Sequence, residues 1–143
     1  NIRAYSHSLG QSKVYWMATP TLARTLRQGF PGSLDGVPVL LPTNDTAIRR
    51  ALDQWLDRHG VRPLMLGEFE DYALLREFAR AGHGFAPVPA VLESQFRSQH
   101  GLVRIGMAHG VTAEFFVISA DRKIRHPAVA AMTSAARRLF GQR

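Results

Sequence analysis

The chain has 143 residues, 45% of them hydrophobic and 20% charged, with no cysteine and a formal net charge of +7. That is the composition of an ordinary globular domain, long enough to bury about 68% of its unfolded surface without a disulfide or structural metal. The absence of cysteine excludes disulfide frameworks, thiolate-bound zinc, iron–sulfur clusters and cysteine nucleophiles together.

Lys13 to Ala18 is a β-branched and aromatic run closed by Thr19-Pro20, which predicts a strand. Thr21 to Gln28 predicts a short helix, broken by Gly29-Phe30-Pro31-Gly32. Val37 to Leu41 is almost wholly apolar between Gly36 and Pro42, as suits a strand covered on both faces. Thr43, Asn44 and Asp45 offer side-chain caps to a helix in which Ala47, Ile48, Ala51, Leu52, Trp55 and Leu56 recur at helical spacing before Gly60. Arg49, Arg50, Asp53, Asp57 and Arg58 are expected on its wet side. Arg62 to Glu68 predicts the next strand, and Asp71 can cap a helix carrying Ala73, Leu74, Leu75, Phe78 and Ala81 up to Gly82. Gly84 to Val88 predicts a short buried strand, Pro89 a helix start running to about Phe96, and Leu102 to Ile105 and Glu114 to Ala120 two further strands. Pro127 sits where a first-turn proline belongs, ahead of a terminal helix lined by Val129, Met132, Ala136, Leu139 and Phe140. This alternation predicts an α/β fold, a parallel or mixed sheet with helices on both faces.

The longest apolar runs fall far short of the ~20 residues a bilayer span requires, and the opening Asn1-Ile-Arg-Ala-Tyr-Ser holds no signal-peptide core. No membrane partner is expected. The 18 basic residues are spread along the chain, as at Arg24 and Arg27, Arg76 and Arg80, or Arg137 and Arg138. Without a basic tract or interleaved aromatics, helix surfaces explain them better than a groove-reading patch.

Few residues suggest chemistry. The histidines never occur at metal-ligand spacing, and His59 and His126 sit at helix ends, where capping explains them. Gly32-Ser33-Leu34-Asp35-Gly36 lacks the strand that a nucleophile elbow needs before its serine. Gly82-His83-Gly84-Phe85-Ala86-Pro87 leads into a strand instead of following one, so it is no dinucleotide fingerprint. Two features remain. Pro42-Thr43-Asn44-Asp45-Thr46 joins a buried strand to a long helix, where free N–H groups and short polar side chains either bind a ligand or simply cap. Gly67-Glu68-Phe69-Glu70-Asp71 and Ala86-Pro87-Val88-Pro89 end two further strands and are expected on the same sheet edge. Glu68, Glu70 and Asp71 could hold a hard cation, or merely enrich a helix start in acid. No nucleophile–base–orienter set assembles, so the site reads as a binder and no enzyme is expected.

From Phe30 onward the chain resembles the regulatory half of LysR-type transcriptional regulators. Phe30-Pro31, Leu40-Leu41-Pro42, Arg49, Leu52, Trp55, Gly60, Gly67-Glu68-Phe69 with Asp71, Ala73-Leu74, Phe78, Ala86-Pro87, Ile105-Gly106 and Arg125-His126-Pro127-Ala128-Val129 carry the resemblance. Gly-Glu-Phe and His-Pro-Ala-Val at this separation are most similar to activators of sodium/proton antiporter expression, which implies sodium or lithium as the signal.

The resemblance implies a Rossmann-like, periplasmic-binding-protein-like (type II) effector domain, here truncated. Residues 1–20 would end a first regulatory subdomain, 21–113 form a complete second one, and 114–143 return to the first. It also implies a cytoplasmic homo-oligomer in full length, meeting DNA only through a helix-turn-helix domain outside this chain. A small-molecule or ion effector would meet Thr43, Asn44, Asp45, Thr46, Glu68, Phe69, Pro87, Val88 and Pro89, with no cofactor. Dimers would form through Asp45 to His59 and Arg62 to Glu68. A stand-alone solute-binding domain of the same fold is the alternative.

Overall fold

The computed structural model of the chain describes residues 4–120 and 122–141, the side chains of 99 and 100 excepted. In chain order the elements are β1 (Tyr5–Ala18), α1 (Pro20–Arg27), β2 (Pro38–Pro42), α2 (Ala47–Arg58), β3 (Leu64–Phe69), α3 (Tyr72–Arg80), β4 (Ala86–Pro89), α4 (Glu93–His100), β5 (Val103–Ser119) and α5 (Pro127–Gly141). Short 3-10 turns stand at Gly32–Leu34 and Ala90–Leu92. The chain forms two units, one of residues 13–112 and one of residues 1–12 with 113–143.

In the larger unit β2 and β3 run parallel, whereas β4 pairs antiparallel with β1, Trp16 facing Pro87 and Met17 facing Ala86. β5 flanks β1 on its other side. A parallel bridge between Val39 and Phe85 joins the two sheets. There the Leu40 N–H donates to Phe85 O (2.9 Å) and the Phe85 N–H to Pro38 O (3.1 Å). The strand order through that bridge is β3-β2-β4-β1-β5, a mixed sheet.

Side chains alternate across such a sheet. Met17, Leu40, Ala86 and Val88 point to one face, where Leu75 and Ala79 of α3, Phe96 of α4 and Leu102 complete a core. Their neighbours Trp16 and Phe85 point the other way, with ring centroids 5.3 Å apart. Trp55 of α2 packs on Trp16 at 5.7 Å, and Phe30 on Trp55 at 6.0 Å. Helices therefore cover both faces, as the element order predicts.

In the smaller unit α5 packs by one side on its strands. Phe140 lies 5.3 Å from Phe115 between centroids, and Arg137 Nε donates to Ser8 O at 3.0 Å. His7 Nε2 and Ser119 Oγ form a hydrogen bond of 2.9 Å across the strands.

Several boundaries differ from expectation. β1 begins at Tyr5, well before Lys13, because Tyr5, His7 and Leu9 alternate with exposed Ser6 and Ser8 in a half-covered strand. The two strands expected at 102–105 and 114–120 are one, β5, which passes through Gly106 and Gly110. Gly106 serves as space there: a Cβ on it would stand 2.5 Å from the Phe30 ring. Pro89 ends β4 opposite Val14, and helix α4 starts only at Glu93, after the 3-10 turn. Arg49, expected on the wet side of α2, is 6% exposed. It precedes Leu52 by three residues and Leu56 by seven, which places it on the buried stripe. Among the described residues no helix is long and apolar enough to cross a membrane.

Candidate functional site

Parallel pairing sets the carboxyl ends of β2 and β3 side by side, Leu41 beside Glu68 and Pro42 beside Phe69. A capped helix follows each strand. Thr46, not Thr43, Asn44 or Asp45, is the N-cap of α2: its Oγ1 accepts the Arg49 N–H (3.3 Å) and donates to Thr43 O (2.9 Å). Asp71 caps α3, its carboxylate accepting the Leu74 N–H at 2.8 Å. The Thr43 N–H donates to Phe69 O at 3.2 Å and ties the two junctions together.

Between the two caps lies a cavity of about 70 Å³ lined by Pro42, Thr46, Phe69, Glu70, Asp71, Tyr72 and Leu75. A water molecule takes up about 30 Å³ of liquid, so the cavity admits an ion or the tip of a larger molecule, while whole drug-sized ligands fill roughly 300–1,000 Å³. Glu70 offers a carboxylate and Thr46 a hydroxyl. Burial pushes the Tyr72 phenol up to about 12, which keeps it neutral.

The structure brings together some of the residues singled out in the sequence and separates others. Thr46 and Phe69 line the cavity, whereas Thr43 shapes it through its backbone. Asn44 and Asp45 are exposed in the loop. Pro87, Val88 and Pro89 are buried in β4, Val88 inside the core, and none of them lines this cavity. The three acidic residues diverge. Glu68 turns to Arg49, while Glu70 and Asp71 both line the cavity, Asp71 with one carboxylate oxygen taken by its cap. Among the described residues no group of three or more His, Asp or Glu side chains converges as a metal would need. His59 Nδ1 meets Trp55 O at 2.8 Å, and His126 Nδ1 accepts the Ala128 N–H at 3.2 Å, both at helix ends.

Arg49 is the residue that reading the sequence misplaced. Its Nη1 donates to Pro42 O (2.9 Å) and to Glu68 Oε2 (2.6 Å), and its Nε to Asp53 Oδ1 (3.0 Å). Burial opposes the charge, but the hydrogen bonds and charges of Glu68 and Asp53 outweigh it and hold the guanidinium above its ordinary pKa. The Arg49–Asp53 spacing, four apart on one helix, is the signal that could have found it. Arg49 and Asp53 also line a groove of about 360 Å³ between α2 and β3, floored by Val39, Leu41, Leu56 and Val61. Beyond it β3 is an apolar strand open on its outer edge, with Leu64, Met65 and Leu66 exposed by 59%, 46% and 50%.

Residues 3–141 match the family described as the LysR substrate binding domain. The transcriptional activator protein NhaR of Escherichia coli (strain K12) is 29% identical over 126 residues, 87% of this chain and 40% of that protein. NhaR of Shigella flexneri aligns equally. The chain thus spans about two fifths of the length of the curated relatives it matches. Among solved structures, the effector domain of AmpR from Pseudomonas aeruginosa superposes with a TM-score of 0.69 at 18% identity, over 97% of this chain and 65% of that one. Full-length HypT from Salmonella typhimurium, a hypochlorite-specific LysR-type regulator, gives 0.62 at 14% identity, over 100% of this chain and 48% of that one. At these identities the structural likeness speaks for the fold alone.

Proposed function

This chain belongs to the LysR substrate binding domain family, and from that premise we propose that it is the effector-sensing part of a cytoplasmic, NhaR-like transcriptional activator. The observation that carries the reading is the cavity where β2 and β3 end between two capped helices, with Thr46, Phe69, Glu70 and Tyr72 in its wall. Open α/β sheets bind ligands at this end of their strands. Its size suits a small cation such as sodium or lithium, or one group of a larger effector whose remainder meets Thr43 to Asp45. Pro87, Val88 and Pro89 would then support the site by shape, from within the sheet.

In this reading the effector shifts a pre-existing equilibrium between conformations, for which about 1–3 kcal/mol of differential affinity is enough. The output is a changed dimer geometry. α2 and the exposed edge of β3 form the dimer contact, since an open apolar strand edge is a template for pairing with another chain. DNA is then bound by a helix-turn-helix domain of the longer protein, and no reaction is catalysed.

Sodium or lithium titrated into the isotope-labelled chain, with potassium as the control, tests the site. Amide shifts at Thr43 to Thr46 and Phe69 to Tyr72 that saturate with sodium or lithium support it. A response confined to other segments overturns it.

A further inference from the structure

We propose that Arg49 is the positioning residue that couples the geometry of the cavity to that of the α2–β3 groove, an inference that rests on reading the cavity as the effector site. Each cavity wall supplied by β2, α2 and β3 lies one bond, or one bond and one residue, from Arg49. Its guanidinium donates to the Pro42 carbonyl at 2.9 Å, its backbone N–H donates to Thr46 Oγ1 at 3.3 Å, and Glu68, which accepts at 2.6 Å, immediately precedes Phe69. The other side of the same guanidinium serves the groove. Nε donates to Asp53 at 3.0 Å, and Nη2 lies 3.7 Å from the Met65 sulfur. Asp53 and Met65 line the groove and not the cavity, while Pro42, Thr46 and Phe69 line the cavity and not the groove.

A guanidinium is flat, and its donors are fixed relative to one another. An acceptor displaced on one side turns the whole fork and strains the bonds on the other. Only 7% of the Arg49 side chain is exposed, so a broken bond is poorly replaced by water. A shift of Pro42 or Phe69 on ligand binding therefore reaches Asp53 and Met65 through one rigid group. Distance alone would not make such a pathway, and two-ended perturbation can test it.

The test is amide hydrogen exchange on the chain without any effector. Thr43 and Thr46, whose N–H groups are bonded to Phe69 O and Thr43 O, report the cavity end. Asp53→Asn disturbs the groove end and Glu68→Gln the cavity end. Each is expected to speed exchange at Thr43 and Thr46 about threefold or more. The double variant should depart from the product of the two by at least about threefold, because the carboxylates share Arg49 as partner. In an Arg49→Lys background, which keeps the charge and loses the fork, Asp53→Asn should leave these amides unchanged. A mere brace would instead shift exchange throughout the unit together, by as much at amides remote from Arg49 as at Thr43 and Thr46. Multiplicative effects of D53N and E68Q, or an undiminished D53N effect in R49K, would overturn the proposal. Should R49K fail to fold, the D53N/E68Q cycle decides alone, since both carboxylates are substantially exposed and tolerate the change. No ligand enters these measurements, so the coupling can fail while the cavity answers to sodium, or hold while it does not.

Discussion

Gly84 passes Pro38 so closely that a Cβ on Gly84 would stand 2.6 Å from the Pro38 carbonyl oxygen. That oxygen accepts the Phe85 N–H in the bridge joining β2 to the β4 side of the sheet. A methyl group there must push two backbones apart. Gly84→Ala is expected to lower stability by about 1–3 kcal/mol, seen as an earlier denaturant midpoint at unchanged slope. A midpoint equal to the parent's would contradict the close approach.

The caps that frame the cavity should matter individually. Thr46→Ala and Asp71→Ala each remove the acceptor for a helix N-terminal N–H and are expected to cost about 1 kcal/mol. Thr46→Ser and Asp71→Asn, which keep an acceptor, should recover most of it. Thermal unfolding followed by circular dichroism measures both pairs.

Tyr72 sets a limit at high pH. Its phenol titrates at about 12 in the folded chain, against 10.0 for the free side chain. Between those values the unfolded chain has released the proton and the folded chain still holds it, so stability falls as pH rises from 10 towards 12. Ultraviolet difference titration should show a late phenolate step near 12 that Tyr72→Phe abolishes. In that variant the part of the alkaline loss due to this group should vanish as well.

The open edge of β3 should drive self-association. Replacing Leu64 or Leu66 by Lys puts charge on side chains at least half exposed, so folding stability should move by no more than about 0.5 kcal/mol. Sedimentation velocity should nevertheless show a weaker dimer, as charged side chains block edge pairing. Association equal to that of the parent chain would remove β3 from the interface.

The residues that made the architecture legible are those whose local pattern favours one element. Val37 to Leu41 suited a covered strand and is one from Pro38 on, Asp71 was a possible cap and is one, and Trp55 recurred at the spacing of a core residue and is buried. The strands β1 and β5 were legible only in part, because polar alternation from Tyr5 to Gln11 resembles a loop. Gly106 and Gly110 also resemble turn residues, and only the structure shows that Gly106 instead makes space for the Phe30 ring. Of the site, Thr46 and Phe69 could be placed because strand ends and helix starts are local features. Arg49 was not: its spacing to Leu52 and Leu56 puts it on the buried stripe, but the acceptors that let a charge stay there come from residues 42 and 68, which local sequence does not show. The three acids looked like one cluster for the same reason: adjacency in the chain says nothing of which partner each one turns to.

Both tryptophans of the chain, Trp16 and Trp55, sit in one aromatic group beneath α2, and the His59 ring stacks 4.2 Å from Trp55. The protein thus carries an unlabelled optical gauge of a single layer. Tryptophan emission, excited apart from the tyrosines (Tyr72 stands on α3), should follow a displacement of α2 against the strands more strongly than a rearrangement confined to α3 and α4.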